Sequence, residues 1–397
     1  MNKKVHYLGM DVHKESIEIA IAVEGGELRR YGKIGGTVAA LDKAIGRLKQ
    51  PGVELRFVYE AGPTGYVIYR HLKKLGYPCV VVAPSLTPRK SGQRIKTDRR
   101  DAETLARLFR AGELTPIHVP TEEDEAVRDL VRCRLAAIKD QRRARQRVKG
   151  LLLRLGFRYE GKSNWREAHL RSLAKLKMPS PAQQIAFQEY VQAVTVSTEQ
   201  VERLTRVMEE QALHWRWYPV VKALMTLRGM QRINAMTLVA ELGDLRRFDN
   251  PRPLMGYLGL IPSEHTTGPR RFQGSITKTG NESCRRALVE AAWHYRLPAR
   301  LSPSLQKRQE GQSAAVRAIA WKAQQRLCGR YRTLVSRGKR GQIVVTALAR
   351  ELSGFVWAIF REAAGGATAA DRVPAGRGRS SAPSSSPARR NYVLKKV

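Results

Sequence analysis

Four carboxylates stand where a chain can use them for chemistry: Asp11 after the apolar run YLGM, Glu60 after LRFVY, and Asp98 with Asp101 inside KTDRRDAETLARLF. Asp98, Asp101, Leu105 and Leu108 follow at i, i+3, i+7 and i+10, so the acid pair continues a helical stripe that packs on a sheet. Carboxylates gathered at strand ends and a helix start repel one another unless a multivalent cation holds them. An oxygen-only donor set selects Mg2+ or Mn2+. Two such ions stabilise the attacking and leaving oxygens of an in-line displacement at phosphorus, which is phosphodiester chemistry. Each acid also has a plainer explanation. Asp98 can be the N-cap of DRRDAETLARLF with Asp101 favoured by the helix dipole, Asp11 a residue of the turn DVHKES, and Glu60 a residue of the loop EAGPTG.

The elements that must position these acids are legible from periodicity. Residues 5–11, 16–23 and 27–34 read as a three-stranded meander. After it, Val38, Leu41, Ile45 and Leu48 mark a helix over 36–50, followed by a strand over 54–60, a helix over 64–76 and a strand over 78–84. An antiparallel meander followed by alternating helices and parallel strands predicts an α/β ribonuclease H-like domain over residues 1–120. Residues 121–217 are expected to be helical: one long helix opened by Thr121, and a second over 198–215 with Val201, Leu204, Met208 and Leu213 near one face. The pair reads either as a coiled-coil arm or as a helical hairpin within one subunit. A mainly α C-terminal domain is expected over 218–364, and a disordered basic tail over 365–397. Inside the C-terminal domain, LMTLRGMQRINAMTLVAELGDLRRF reads as helix, glycine turn, helix, able to aim backbone N–H groups at a phosphate or to form a plain corner.

With 72 Lys and Arg against 35 Asp and Glu, the formal net charge is +37, spread along the chain. That distribution suits a nucleic-acid polyanion contacted over a long path. No apolar run is expected to reach the roughly 18 residues that span a bilayer, and a membrane surface would select one basic amphipathic helix instead. MNKKVHYLGMDV lacks the pattern of a secretory signal, so a cytoplasmic, nucleoid-associated protein is expected. Cys79, Cys133, Cys284 and Cys328 form no C-x-x-C pair, and the eight histidines form no H-E-x-x-H, so no structural metal on nitrogen or sulfur is expected.

YLGMDVHK, VYEAGPTG, KTDRRDAETLA and GYLGLIPSEHTTGPRRFQGSITKTGNESCRRAL, in that order, resemble the DEDD insertion-sequence transposases, whose N-terminal domain is similar to RuvC-like Holliday-junction resolvases. The resemblance implies that Asp11, Glu60, Asp98 and Asp101 form a metal-binding tetrad. It also implies a covalent step, in which a serine just before a glycine in the motif opening at Pro262 attacks DNA and becomes phosphate-linked. Here that position reads His265-Thr266-Thr267-Gly268, so the matching residue is Thr267, with Thr266, Ser263 and Ser275 as alternatives. Around it, Arg270, Arg271, Lys278, Arg285 and Arg286 are interleaved with Gly268, Gly274 and Gly280 and read as phosphate contacts rather than a solvated basic face.

The resemblance further implies donor and target duplex DNA as partners, together with a structured guide RNA encoded by the element. The acids and Thr267 lie far apart in sequence and must meet in space, which points to a homo-oligomer, a dimer or a tetramer. The expected function is metal-dependent DNA strand cleavage and exchange through a protein-linked intermediate. A RuvC-like nuclease using metal-activated water, and a non-enzymatic nucleic-acid scaffold, are the alternatives.

Overall fold

The structure, a computed structural model, describes residues 4–88, 97–268 and 270–365; from residue 366 onward the expected basic tail lies outside the described residues. The chain divides into two compact units, residues 1–123 and 124–397.

In the first unit, alternating apolar runs form β1 (Lys4–Val12), β2 (Ser16–Val23) and β3 (Leu28–Gly35), then α1 (Val38–Leu48), β4 (Val53–Glu60), α2 (Val67–Lys74), β5 (Cys79–Val82) and α3 (Asp98–Arg110). The sheet order is β3-β2-β1-β4-β5, antiparallel among the first three strands and parallel from β1 through β4 to β5. This is the mixed α/β sheet of a ribonuclease H-like fold. Leu8, Met10, Ile17, Ile19, Phe57 and Tyr59 pack one face against α1 and α2. The other face belongs to α3, where Ala102 and Ala106 meet Ala20 and Ala22, and Leu105 meets Val58 and Val82.

Two local features set how α3 begins. Thr97 is its N-cap, with extended backbone and a hydroxyl that accepts from the Arg100 N–H at 3.3 Å. The alternative reading of Asp98 as the N-cap is not met: Asp98 is the first helical residue, and the cap is Thr97. Gly9 sets the depth of the packing, since a Cβ there would overlap the backbone of Ala102 and Ala106. Strand and helix touch backbone to backbone.

The second unit is helical apart from one hairpin. It contains α4 (Glu122–Arg154, opening at the boundary), α5 (Glu167–Lys175), α6 (Pro181–His214), α7 (Tyr218–Leu224), α8 (Arg232–Leu242) and α9 (Pro251–Tyr257). The strands β6 (Pro262–Thr267) and β7 (Arg270–Ile276) follow, then α10 (Glu282–Ala292), α11 (Pro303–Gln309), α12 (Ala314–Ser336) and α13 (Gly341–Gly365). α4 and α6 are bonded along their length, by Arg134 Nε to Thr205 Oγ1 at 2.7 Å and by Gln141 Nε2 to Thr198 Oγ1 at 2.9 Å. On α6, Leu204 and Met208 are buried as expected, whereas Leu213 is exposed and Ala212 takes the inward position, because the stripe follows the helical period one residue earlier.

Asp124 locks the two long helices together. It accepts from the Trp215 indole at 2.9 Å, from the Trp217 indole at 3.4 Å, and from both Nε and Nη2 of Arg216. α13 packs against α7, α9, α10 and α12 at the centre of the unit. By length and composition this helix is apolar enough to cross a membrane, which corrects the expectation that no run is; half of its most apolar window is buried inside the fold. Its hydrophobicity serves the core, with Val344, Val345, Leu348, Leu352, Ile359 and Phe360 inaccessible.

Candidate active site

The site in the first unit forms where β1, β4 and α3 end or begin together. Met10 pairs with Tyr59 in the parallel register, so Asp11 and Glu60 are neighbours at the C-terminal ends of adjacent strands. Met10 and Tyr59 face the α1/α2 core, so by the two-residue period Asp11 and Glu60 lie on the opposite face, the one covered by α3. Gly9 lets α3 close on β1 two residues before Asp11, which brings the helix start to the strand end.

The tight group among the described residues is Asp11, His13 and Asp98, whose ligand atoms all lie within 4.8 Å of one another. His13 Nε2 is 3.1 Å from Asp11 Oδ2 and 3.6 Å from Asp98 Oδ1. Adjacent ligands on an octahedral ion at about 2.1 Å are about 3 Å apart, so this spacing suits a divalent cation. Burial raises the Asp11 carboxyl above its usual range; the His13 ring pulls the other way, and Asp98 and Asp101 raise it further. Asp101 thus acts on the site electrostatically from the next turn of α3. Glu60 is at the adjacent strand end on the same face, but its carboxylate is not part of the tight group.

Two residues of this neighbourhood were not singled out in the sequence. His13 stands two residues after Asp11, the spacing that puts both side chains on one face of an extended chain, and that period within YLGMDVHK was the available signal. It adds an imidazole to a donor set expected to be oxygen alone. Glu18 is directly across from Asp11 in the β1/β2 register. It is buried, and Arg30 binds it through Nε at 2.6 Å and Nη2 at 3.3 Å, so its charge is already matched.

In the second unit, β6 and β7 form an exposed antiparallel hairpin in which Thr267 pairs with Arg270 on either side of the turn at Gly268, whose φ is +57°. Thr267 is exposed, and among the described residues its hydroxyl has no hydrogen-bond partner. Two of its alternatives are engaged: Thr266 Oγ1 donates to Glu264 at 3.2 Å and Ser263 Oγ donates to the Ser275 carbonyl at 3.1 Å. Arg271 binds Glu264 at 2.6 Å and holds that carboxyl below its usual range.

The remaining cations differ in what they do. Arg270 is exposed on the hairpin, and Lys278 lies in the loop after it with a φ of +57°, a conformation uncommon outside glycine. Arg285 Nη1 donates to the carbonyls of Leu258, Thr279 and Gly280, tying that loop to the α9 end. Arg286 faces Glu290 on α10 at 3.6 Å. Of the five, Arg270 and Arg271 are the ones displayed on the strand beside Thr267.

Residues 221–307 match a family profile described as "Transposase IS116/IS110/IS902 family", and residues 8–156 match a second described as "Transposase". The chain is 48% identical over 359 residues to a putative transposase, y4qE, of Sinorhizobium fredii, covering 90% of this chain and 89% of the relative. It is 35% identical over 350 residues to the transposase for insertion sequence element IS1533 of Leptospira borgpetersenii, covering 86% and 99%. A probable family 20 transposase of Pseudomonas aeruginosa is 26% identical over 236 residues, covering 59% and 69%.

Proposed function

The chain belongs to the IS116/IS110/IS902 family of transposases, enzymes of DNA cleavage and recombination, and on that premise we propose that it exchanges DNA strands through a phosphate-linked protein intermediate. The observation that carries this reading is the group of Asp11, His13 and Asp98 at the end of β1, with Asp101 and Glu60 beside it. Its donor set and spacing fit a divalent cation, with Asp11, Asp98 and His13 as direct ligands and Glu60 and Asp101 completing the negative field. Oxygen donors suit Mg2+ and Mn2+, and the imidazole favours Mn2+ of the two. When bound, such an ion supplies Lewis-acid stabilisation of charge on the phosphate oxygens.

The protein's own groups then have separate tasks. The acids keep the site negative until it is loaded, and Glu18, neutralised by Arg30, keeps their wall rigid. Thr267 provides the nucleophilic hydroxyl: Oγ1 forms a bond to the scissile phosphorus and loses its proton to water. The phosphorus–oxygen bond to the departing deoxyribose breaks, and that oxygen takes up a proton. Attack by a hydroxyl of another strand reverses the step and releases Thr267. Arg270 and Arg271 hold the flanking phosphates. A structured RNA of the element selects donor and target duplexes by base pairing, and the working form is a homo-oligomer.

Denaturing gels test the covalent step. A 32P-labelled DNA strand should stay attached to the denatured parent protein and to Thr267→Ser, and should be absent from Thr267→Val. Cleavage by Thr267→Val at the parent rate, with no protein-linked strand in either, would instead establish a nuclease that uses water.

A further inference from the structure

The second unit contains a cavity of about 230 Å³ between the α7–α8 turn, the segment after α10 and the start of α11. Its charged lining has one sign. Arg228, His294, Arg300 and Arg308 line it with Ser302, Ser304 and Gln231, and no carboxylate is among the lining residues. The surrounding field agrees with that inventory: burial lowers the His294 pKa, and the charged groups that lower it further are Arg228, Arg296 and Arg308, all cations. Arg308 is half-buried, and burial depresses its pKa, offset in part by the neighbouring Tyr295 phenol; no carboxylate contributes.

The guanidinium groups are held rather than neutralised. Arg228 Nη1 donates to the Pro298 carbonyl at 2.7 Å, and Arg308 Nη1 donates to the Met230 carbonyl at 2.6 Å. Each bond fixes one end of the fork by a neutral acceptor, and among the described residues neither guanidinium has a carboxylate partner. Gly229, at φ +77°, allows the turn to close on His294, because any Cβ there would overlap the Ala291 carbonyl and come within 2.8 Å of the ring. Partly buried cations without a carboxylate are costly, and an anion with several oxygens relieves that cost through charge-assisted bonds. Leu305 is the apolar side chain of the lining and none of the lining residues is Phe, Tyr or Trp, so the cavity offers charge and hydrogen-bond donors rather than a broad stacking platform.

We propose that this cavity binds one phosphodiester group of a nucleic-acid backbone, a sequence-independent contact made by residues other than the acids of the first unit and the hairpin. It depends neither on the nucleophile nor on metal binding. DNA and RNA share the phosphodiester, so the test carries both. Affinity of the full-length protein for a labelled duplex DNA and for a labelled single-stranded RNA is measured by anisotropy between about 50 and 200 mM salt, the range in which counterion release is read.

Arg300→Gln, at an exposed position, is expected to flatten the plot of log K against log salt by about 0.9 on duplex DNA or about 0.7 on single-stranded RNA, the loss of one phosphate contact. Ser304→Asp, which adds a negative charge to the lining at a helix start that tolerates acids, is expected to weaken binding more. A change confined to one polymer identifies that polymer as the source of the phosphate. Parental affinity and slope for both variants on both polymers would overturn the proposal. The catalytic reading is scored separately, by the protein-linked strand on denaturing gels, so a failure of that reading is distinguishable from a failure of this one.

Discussion

Asp11, half-buried, and Asp124, buried, are two aspartates of one chain, and their surroundings drive them in opposite directions. For Asp124, burial raises the pKa, but the hydrogen bonds from Arg216, Trp215 and Trp217 outweigh it and hold the carboxyl below its usual range. For Asp11, burial dominates, His13 offsets part of it, and two more carboxylates add to the rise. The contrast separates two uses of a buried charge. Fixed donors around Asp124 make it a fastening between α4 and the end of α6, whereas unmatched negative charge around Asp11 makes a place for a cation.

Removing each carboxylate is the sharpest way to break this comparison. Asp11→Asn is expected to lower DNA strand cleavage by about 10³-fold or more while leaving the melting temperature of the cation-free protein no lower, since the loss falls on cation binding and on the transition-state stabilisation the cation supplies. Cleavage within tenfold of the parent would erase the distinction. Asp124→Ala is expected to do the reverse. It should cost the second unit about 3 kcal/mol in denaturant unfolding, because a guanidinium and two indole donors lose their acceptor, with Arg216 partly screened by solvent. DNA cleavage per folded molecule should persist.

Gly9→Ala probes the same contrast without touching a charge. The added methyl pushes α3 from β1 and separates Asp98 from Asp11, which is expected to lower cleavage by about 10²-fold, the usual effect of a displacement near 1 Å. A parental rate would mean that the close approach does not position the site.

Cations and pH give the smallest effects and the clearest signs. Mn2+ or Mg2+ at about ten times its dissociation constant should stabilise the parent by about 1.4 kcal/mol in thermal melting and Asp11→Asn by much less. The raised pKa of Asp11 means that without cation its contribution to stability is lost as pH rises from the usual carboxyl value of 3.8 through the folded value, and that protons displace the ion as pH falls back through that window. The lowered pKa of Asp124 gives the opposite dependence: its stabilisation is complete above the usual value of 3.8 and is lost as pH falls through the folded value below it. Melting curves of Asp11→Asn and Asp124→Ala against pH should therefore diverge from the parent in opposite senses.

The elements themselves were largely legible in the sequence. The strand expected over 16–23 and the helix starting at Asp98 are where periodicity puts them, because β-branched alternation in SIEIAIAV and the spacing of Leu105 and Leu108 are local signals. Capping was less legible, since Thr97 and Asp98 are both good N-cap residues and the choice depends on which backbone is extended. The apolar character of α13 was missed because scattered polar residues interrupt its runs, although its mean hydropathy over a window is high.

What the sequence determined by itself is the set of elements, the strong positive charge and the acids that stand at element ends, since each of these depends on residue type and short-range period. Which groups converge was decided by tertiary structure. His13 joins Asp11 and Asp98, Arg30 neutralises Glu18 opposite Asp11, and Glu60 stays at the next strand end. The physical reason is that convergence depends on strand register and on how deeply α3 settles over Gly9. The register pairs separate strands, Met10 with Tyr59 and Asp11 with Glu18, and the settling of α3 packs Gly9 against Ala102 and Ala106, more than ninety positions later in the chain.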